Sequence, residues 1–379
     1  MKYSTAESEY LVELLKSAVK GTEVKTPPEQ IDWEKFVDLA KRQQVYSVIA
    51  PILGGIGMPE KQAGELMLYN QNELLRLIAM KNEQEQLENE LRKAGIRFML
   101  LKGSRLRFYY PQQKMRQMSD VDILYDGSKK ALLLEIMNNF GYSIISMSDN
   151  SDDFTKKPFY TFEFHRELFF REHDFYFDFS NVWDNAEADT DNPYKYVMST
   201  EDLYLHSVAH MYKHYVLGGF GIRFLTDTYL FLIKEQGRMN MEYISSRLDE
   251  FDLTEFEKLI RELSFEIFGD GCFSDEQIDF LNNVLKFGIY GDSREGIKVY
   301  YDEYLAKNGG KGSLAGFYMS KLFPDFAFMK RSYPQLEKKP YLLPLYYIKR
   351  LINKLIYKRK SAVSNYKILK EYKNKSNGG

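Results

Sequence analysis

The 379-residue sequence predicts an α+β fold, with a mixed β-sheet flanked by helical regions before and after it. Three observations carry this. Helical periodicity fills the first 95 residues and returns after Ser199. Between them stand short apolar runs and period-2 alternations of strand length. Glycines at 95 and 141 stand where helical patterns stop. The expected divisions are a helical region over 1–94, a catalytic domain over 95–185, a helical region over 186–305 and a basic extension over 306–379.

Residues 5–20 and 32–53 read as helices. Trp33, Phe36, Val37 and Ala40 fall on one face, and Asp32 is placed as an N-cap. Residues 60–94 read as one long helix closed by Gly95. The run 96–101 (IRFMLL) is a first strand, followed by Lys102-Gly103-Ser104 and a short helical segment stopped by Pro111. Residues 120–125 form a second strand, 128–140 a helix ended by Gly141, and 142–147 a third strand. The alternations in 161–170 and 174–180, linked through 171–174, predict a hairpin. Ser199 or Thr200 caps the next helix, a Gly-Gly-x-Gly loop covers 218–221, and helices run from Arg223 to Lys234 and through 240–305. Residues 335–346, with Pro340 and Pro344, read as extended.

Composition excludes several classes. The lone Cys272 permits no internal disulfide, and the N-terminal residues lack the apolar core of a secretion signal. No run approaches a membrane span, so the expected location is cytoplasmic. Residues 341–379 carry a net charge of +9 against −11 for the rest. Such a tail fits an anionic surface, or a C-terminal helix docked on an acidic body. Leu342, Leu343, Ile348, Leu351, Ile352 and Leu355 interleave with its cations, the last four of these as an amphipathic stripe.

The chemistry concentrates in "SDVDILY" (119–125). Asp120 and Asp122 lie two apart on a strand, so they share a face at about 7 Å along the chain. Two carboxylates at a strand end suit divalent cations, which in two-metal sites stand about 3.5–4 Å apart. Mg²⁺ or Mn²⁺ is the expected ion, since both take oxygen ligands. The turn at Lys102, Gly103 and Ser104, leading into a helix, suits a phosphate. The plain alternative is a strand whose acids face water.

These residues resemble a known signature. "LKGSRLRFYYP" followed by "RQMSDVDILY" is similar to the Gly-Ser and Asp-x-Asp motifs of the nucleotidyltransferase superfamily that includes DNA polymerase beta. Within it the chain most resembles the bacterial uncharacterised nucleotidyltransferases, through Lys102-Gly103, Tyr110-Pro111 and Arg116 to Leu124. The likeness extends over 31–45, 162–165 and 210–227. It implies a nucleotidyltransferase-type sheet and transfer of a nucleoside monophosphate from a nucleoside triphosphate to an acceptor hydroxyl, with pyrophosphate released. It also implies a third carboxylate on a neighbouring strand. Glu163, in Phe162-Glu163-Phe164-His165, is the best match, with Glu167 and Asp178 as rivals. Asp120, Asp122 and Glu163 would then be catalytic and metal-binding. Lys102, Gly103, Ser104 and Arg116 would hold the triphosphate, and His210, Lys213 and His214 would contact nucleotide or acceptor.

His206, His210 and His214 recur every fourth residue, but one ion cannot span three successive turns, which disfavours zinc. His206 reads as packing, and Arg223 with Asp227 as a helix ion pair. Two other functions stay open: a catalytically silent module binding a nucleotide or partner, and an enzyme that modifies RNA or protein. The acceptor, whether small molecule, RNA or protein, is not specified.

Overall fold

The computed structural model describes residues 3–148, 150–171, 176–269, 273–289, 291, 293–309, 311–357, 365–370 and 372. The chain divides into two compact units. The first comprises residues 1–168, 177–212 and 221–289, and the second 169–176, 213–220 and 290–379.

The first unit opens with α1 (Ala6–Lys20), α2 (Trp33–Arg42), α3 (Tyr46–Ile49) and α4 (Glu60–Lys93). Asp32 caps α2 as its sequence position predicts, accepting bonds from the backbone N–H groups of Glu34 and Lys35. Free of internal proline, α4 runs 34 residues, and Gly95 at φ +66 turns the chain out of it. Met80, Gln84, Leu87 and Leu91 form its buried stripe at heptad spacing.

There follow β1 (Phe98–Leu100), α5 (Gly103–Leu106), β2 (Val121–Tyr125), α6 (Lys130–Asn139), β3 (Ser143–Met147), β4 (Ser151–Lys156), β5 (Tyr160–His165), β6 (Glu187–Ala188) and β7 (Lys195–Val197). The strands make one seven-stranded sheet in the order β3-β4-β5-β2-β1-β7-β6. It is mixed: β2 runs parallel to β5 and β1 to β7, and the other neighbours are antiparallel.

Alternation along the strands divides the sheet by face. Phe98, Leu100, Val121, Ile123, Tyr125, Phe154, Phe162 and Phe164 pack with Met80, Leu87 and Leu91 of α4 and with Leu133 and Met137 of α6. Each such side chain, fully buried, contributes about 1.5–3 kcal/mol. Asp122, Leu124, Glu163 and His165 take the alternate positions and face the other way.

Helices complete the unit: α7 (Thr200–Leu217), whose last residues pass into the second unit, then α8 (Ile222–Glu235), α9 (Met241–Glu250), α10 (Thr254–Phe268) and α11 (Asp275–Phe287). Ser199 caps α7 by accepting from the Asp202 N–H. The second unit contains α12 (Ser293–Lys307), α13 (Leu314–Leu322), α14 (Phe326–Ser332), α15 (Gln335–Lys338) and α16 (Leu343–Tyr357). Among the described residues no helix is long and apolar enough to cross a membrane.

Three expectations are corrected. The alternation from 161 ends as a strand at His165, and 176–180 is not a strand; residues 172–175 lie outside the described residues. Phe177 and Phe179 are buried not in a sheet but against Phe251, at 5.3 Å between ring centroids in both cases. The antiparallel partner of β5 is instead β4, which its two acids had hidden. Residues 335–346 are largely helical, because Pro340 and Pro344 sit in first turns, where the missing N–H costs nothing. The tail helix α16 packs through Leu343, Tyr346 and Tyr347 on Phe328, Met329, Tyr333 and Leu336, with the Arg350 guanidinium 4.6 Å from the Phe328 ring centroid. Ile348, from the stripe read in the sequence, is exposed, and the side chains of 352–360 lie outside the described residues.

The Arg223–Asp227 pair is also replaced. Asp227 accepts a two-pronged bond from Arg116, at 2.9 and 2.8 Å, and a third bond from the Tyr110 hydroxyl at 2.8 Å. Both charged partners are buried. Arg223 instead donates to Gln44 and to the Gln117 carbonyl. The Arg116 fork ties α8 to the loop that leads into β2. Removing one partner of such a pair costs about 3–5 kcal/mol, whereas replacing both by apolar groups is often near neutral. Asp227→Ala should therefore lose about that much stability in urea unfolding, and Arg116→Met with Asp227→Leu should recover most of it. A single variant as stable as wild type would refute the clamp.

Candidate active site

The parallel register sets Asp122 of β2 opposite Glu163 of β5. Directly opposed residues in adjacent strands share a face, so both carboxylates leave the sheet on the side away from the core. His165 follows two residues on and returns to that face. Its Nε2 lies 3.1 Å from Asp122 Oδ1 and 3.4 Å from Glu163 Oε1. One donor atom from each of the three falls within 4.8 Å of the others. Two carboxylate oxygens and an imidazole nitrogen are a donor set that could hold a divalent cation.

Lys102 closes the group, its Nζ bonding Asp122 Oδ1 at 2.6 Å. The backbone there has φ +43, a region that non-glycine residues seldom adopt, just where β1 turns into α5. Burial by itself would raise the pKa of Asp122, but the Lys102 ammonium and His165 hold it far below the usual carboxylate range. Glu163 is likewise lowered: burial raises it, but its bond to His165 and the charges of His165 and Lys102 together outweigh burial. Asp120 goes the other way, raised by burial and by repulsion from Asp122. It stands in the bend before β2, outside the tight group, with Oδ1 accepting from Ser119 at 3.1 Å.

Of the other expected residues, Ser104 is buried and its hydroxyl has no partner, which leaves a donor available for an anion. Gly103 has a packing reason: a Cβ there would stand 2.7 Å from Arg116 Nη1. The Arg116 fork is filled by Asp227, so it braces the turn instead of reaching for phosphate. The α5 helix itself is only four residues long. His210 lies in the first unit, its ring near those of His206 and Phe224, while Lys213 and His214 belong to the second. His206 is buried and its ring also meets Phe179. Glu167 lies beyond the end of β5, and Asp178 caps the Ser180 N–H. His165 is the site residue that sequence reasoning passed over. Its spacing from Glu163 in a period-2 strand was the available signal.

Burial would push the His165 pKa below its ordinary 6.5, but the bonds to Asp122 and Glu163 outweigh burial and raise it. The stabilisation from this imidazolium is present below about 6.5 and is lost as pH rises through the elevated native value. An NMR titration should place His165 above 6.5, and Asp122→Asn should lower it and flatten the stability slope in that window. A histidine titrating below 6.5 would contradict the arrangement.

A protein-family model described as uncharacterised nucleotidyltransferase matches residues 29–269. No curated protein and no solved structure matches the chain. The matched region covers most of the chain and includes Lys102, Asp120, Asp122, Glu163 and His165. The chain belongs to the uncharacterised nucleotidyltransferase family, and its mixed sheet presents Asp122 and Glu163 on one face.

Proposed function

We propose that this protein transfers a nucleoside monophosphate from a nucleoside triphosphate to an acceptor hydroxyl, with Mg²⁺ or Mn²⁺ as cofactor and pyrophosphate as product. The observation that supports this most is the register that sets Asp122 opposite Glu163, with His165 bonded to both. Asp122 and Glu163 would hold the cation, with Asp120 as a further ligand from the bend before β2. A bound divalent cation neutralises charge on the α-phosphate and favours the ionised form of the attacking hydroxyl.

The chain's own groups divide the work. Asp122 and Glu163, with lowered pKa values, are ionised at neutral pH, the form that would ligate a cation. Lys102 presents a half-buried ammonium beside them and would meet phosphate oxygens, with the Ser104 hydroxyl donating a further bond. Arg116 and Asp227 hold the turn that carries these groups. Glu163, on the strand farther from Lys102, would also help draw the proton from the acceptor hydroxyl.

The test separates three carboxylates. Removing a group that assists proton transfer typically costs about 10²–10⁴-fold in rate. Glu163→Gln should keep nucleotide affinity within a few-fold and lose turnover toward the upper end of that range, since a cation ligand is lost as well. Glu167→Gln and Asp178→Asn should remain active. Normal turnover by Glu163→Gln, with either of the others dead, would move the third carboxylate elsewhere.

A further inference from the structure

Arg107 lies in the short helical turn after α5 and is 93% buried, since only 7% of it is exposed. Among the described residues its guanidinium makes no hydrogen bond and no ion pair, and its Nε is buried without a partner. The contact it does make is with the Phe108 ring, 5.4 Å from the centroid. A guanidinium with its Nε sealed and only its Nη groups reaching solvent is poorly hydrated, and arginine cannot shed its charge. The acids within electrostatic reach, Glu85 and Glu88, are already bonded to others. Glu85 pairs with Lys81, and Glu88 bonds Lys195 and Gln84.

Arg107 lines a small pocket together with Arg76, Lys81, Gln84, Met118 and Asp120. Of its three cations, Lys81 is already paired with Glu85. Arg76 is occupied by Glu73 and the Ser119 carbonyl, which leaves Arg107 as the cation with an unmet need. Met80 and Val121 also line the pocket, and both belong to the core on the α4 side of the sheet. Val121 and Asp122 are consecutive in β2 and point to opposite faces. The pocket therefore reaches the helix side of the sheet, with Asp120 on its border toward Asp122.

We propose that this pocket is a second binding site, separate from that of the nucleotide, which takes a small phosphate-type oxyanion on the fork of Arg107. The fork matches two oxygens of such an anion. Asp120 borders the pocket, so an anion held there adds negative charge beside an acid of the proposed active site. The inference goes beyond the catalytic reading and does not depend on it.

Thermal unfolding in inorganic phosphate, with chloride holding ionic strength constant, tests this on the full chain. Phosphate should raise the midpoint of wild type and of Asp122→Asn alike, with the same half-saturating concentration. Arg107→Met should weaken phosphate at least about tenfold, the loss expected when a charge-assisted fork is removed. Without phosphate that variant should be as stable as wild type or more so, because an unpaired buried charge is gone. Arg107→Lys keeps the charge but lacks the fork, and its phosphate affinity should also fall. The proposal is overturned if wild type shows no phosphate response, or if Arg107→Met and Arg107→Lys respond as wild type does. It is also overturned if a saturating Mn²⁺ complex of a non-hydrolysable ATP analogue abolishes the response, since the anion then belongs to the nucleotide's own site. The Asp122→Asn arm distinguishes failure of this pocket from failure of the catalytic acids.

Discussion

The arrangement turns on a repulsion. The parallel pairing of β2 with β5 sets Asp122 and Glu163 side by side on one face, with oxygens inside 4.8 Å of a shared histidine nitrogen and of each other. Two like charges at that distance oppose folding by about 3 kcal/mol at an effective dielectric of about 20. The chain answers with Lys102 at 2.6 Å from Asp122 and with a histidine whose Nε2 lies between both acids. A sheet that only needed to be stable gains nothing from this row. Two carboxylates and an imidazole held this close together are a set that could hold a metal ion.

The rest of the first unit keeps that row in place. On the far face, alternating aromatic and aliphatic side chains of the strands pack on the stripe of α4 and on α6, which fixes the register, because a one-residue slip would bury the acids. On the near side, the buried fork of Arg116 on Asp227 ties α8 to the loop entering β2. Gly103 lets that guanidinium approach the turn carrying Lys102 and Ser104. The strained backbone at Lys102 then sets the position from which the ammonium reaches Asp122. Core packing, clamp and site thus meet within one strand–turn–helix segment.

Much of this was legible in the sequence where period and chemistry agree. The long helix ending at Gly95, the strand carrying Asp122 and the cap at Asp32 follow from spacing and local bonding. The pairing of strands was less legible. β4 contains Asp152 and Asp153, and its sequence does not look like the inner partner of β5; Asp152 is tolerated because Lys130 and Arg166 bond it inside the protein. Phe177 and Phe179 alternate as a strand would, yet helices supply their contacts. Arg116 read as a phosphate ligand because its partner, Asp227, lies 111 residues away in the chain. His165 stood in plain view, and only the fold shows that its ring turns onto the two acids.

The central claim is that Asp122 and Glu163 hold the cation for nucleotidyl transfer. Pyrophosphate release, followed together with mass spectrometry of the products, tests it most directly. The protein is incubated with the four nucleoside triphosphates, Mg²⁺ and a cell extract that supplies the acceptor. Wild type should release pyrophosphate and leave one acceptor heavier by a nucleoside monophosphate, and Asp122→Asn should do neither. Equal release and the same adduct from the variant would contradict the account.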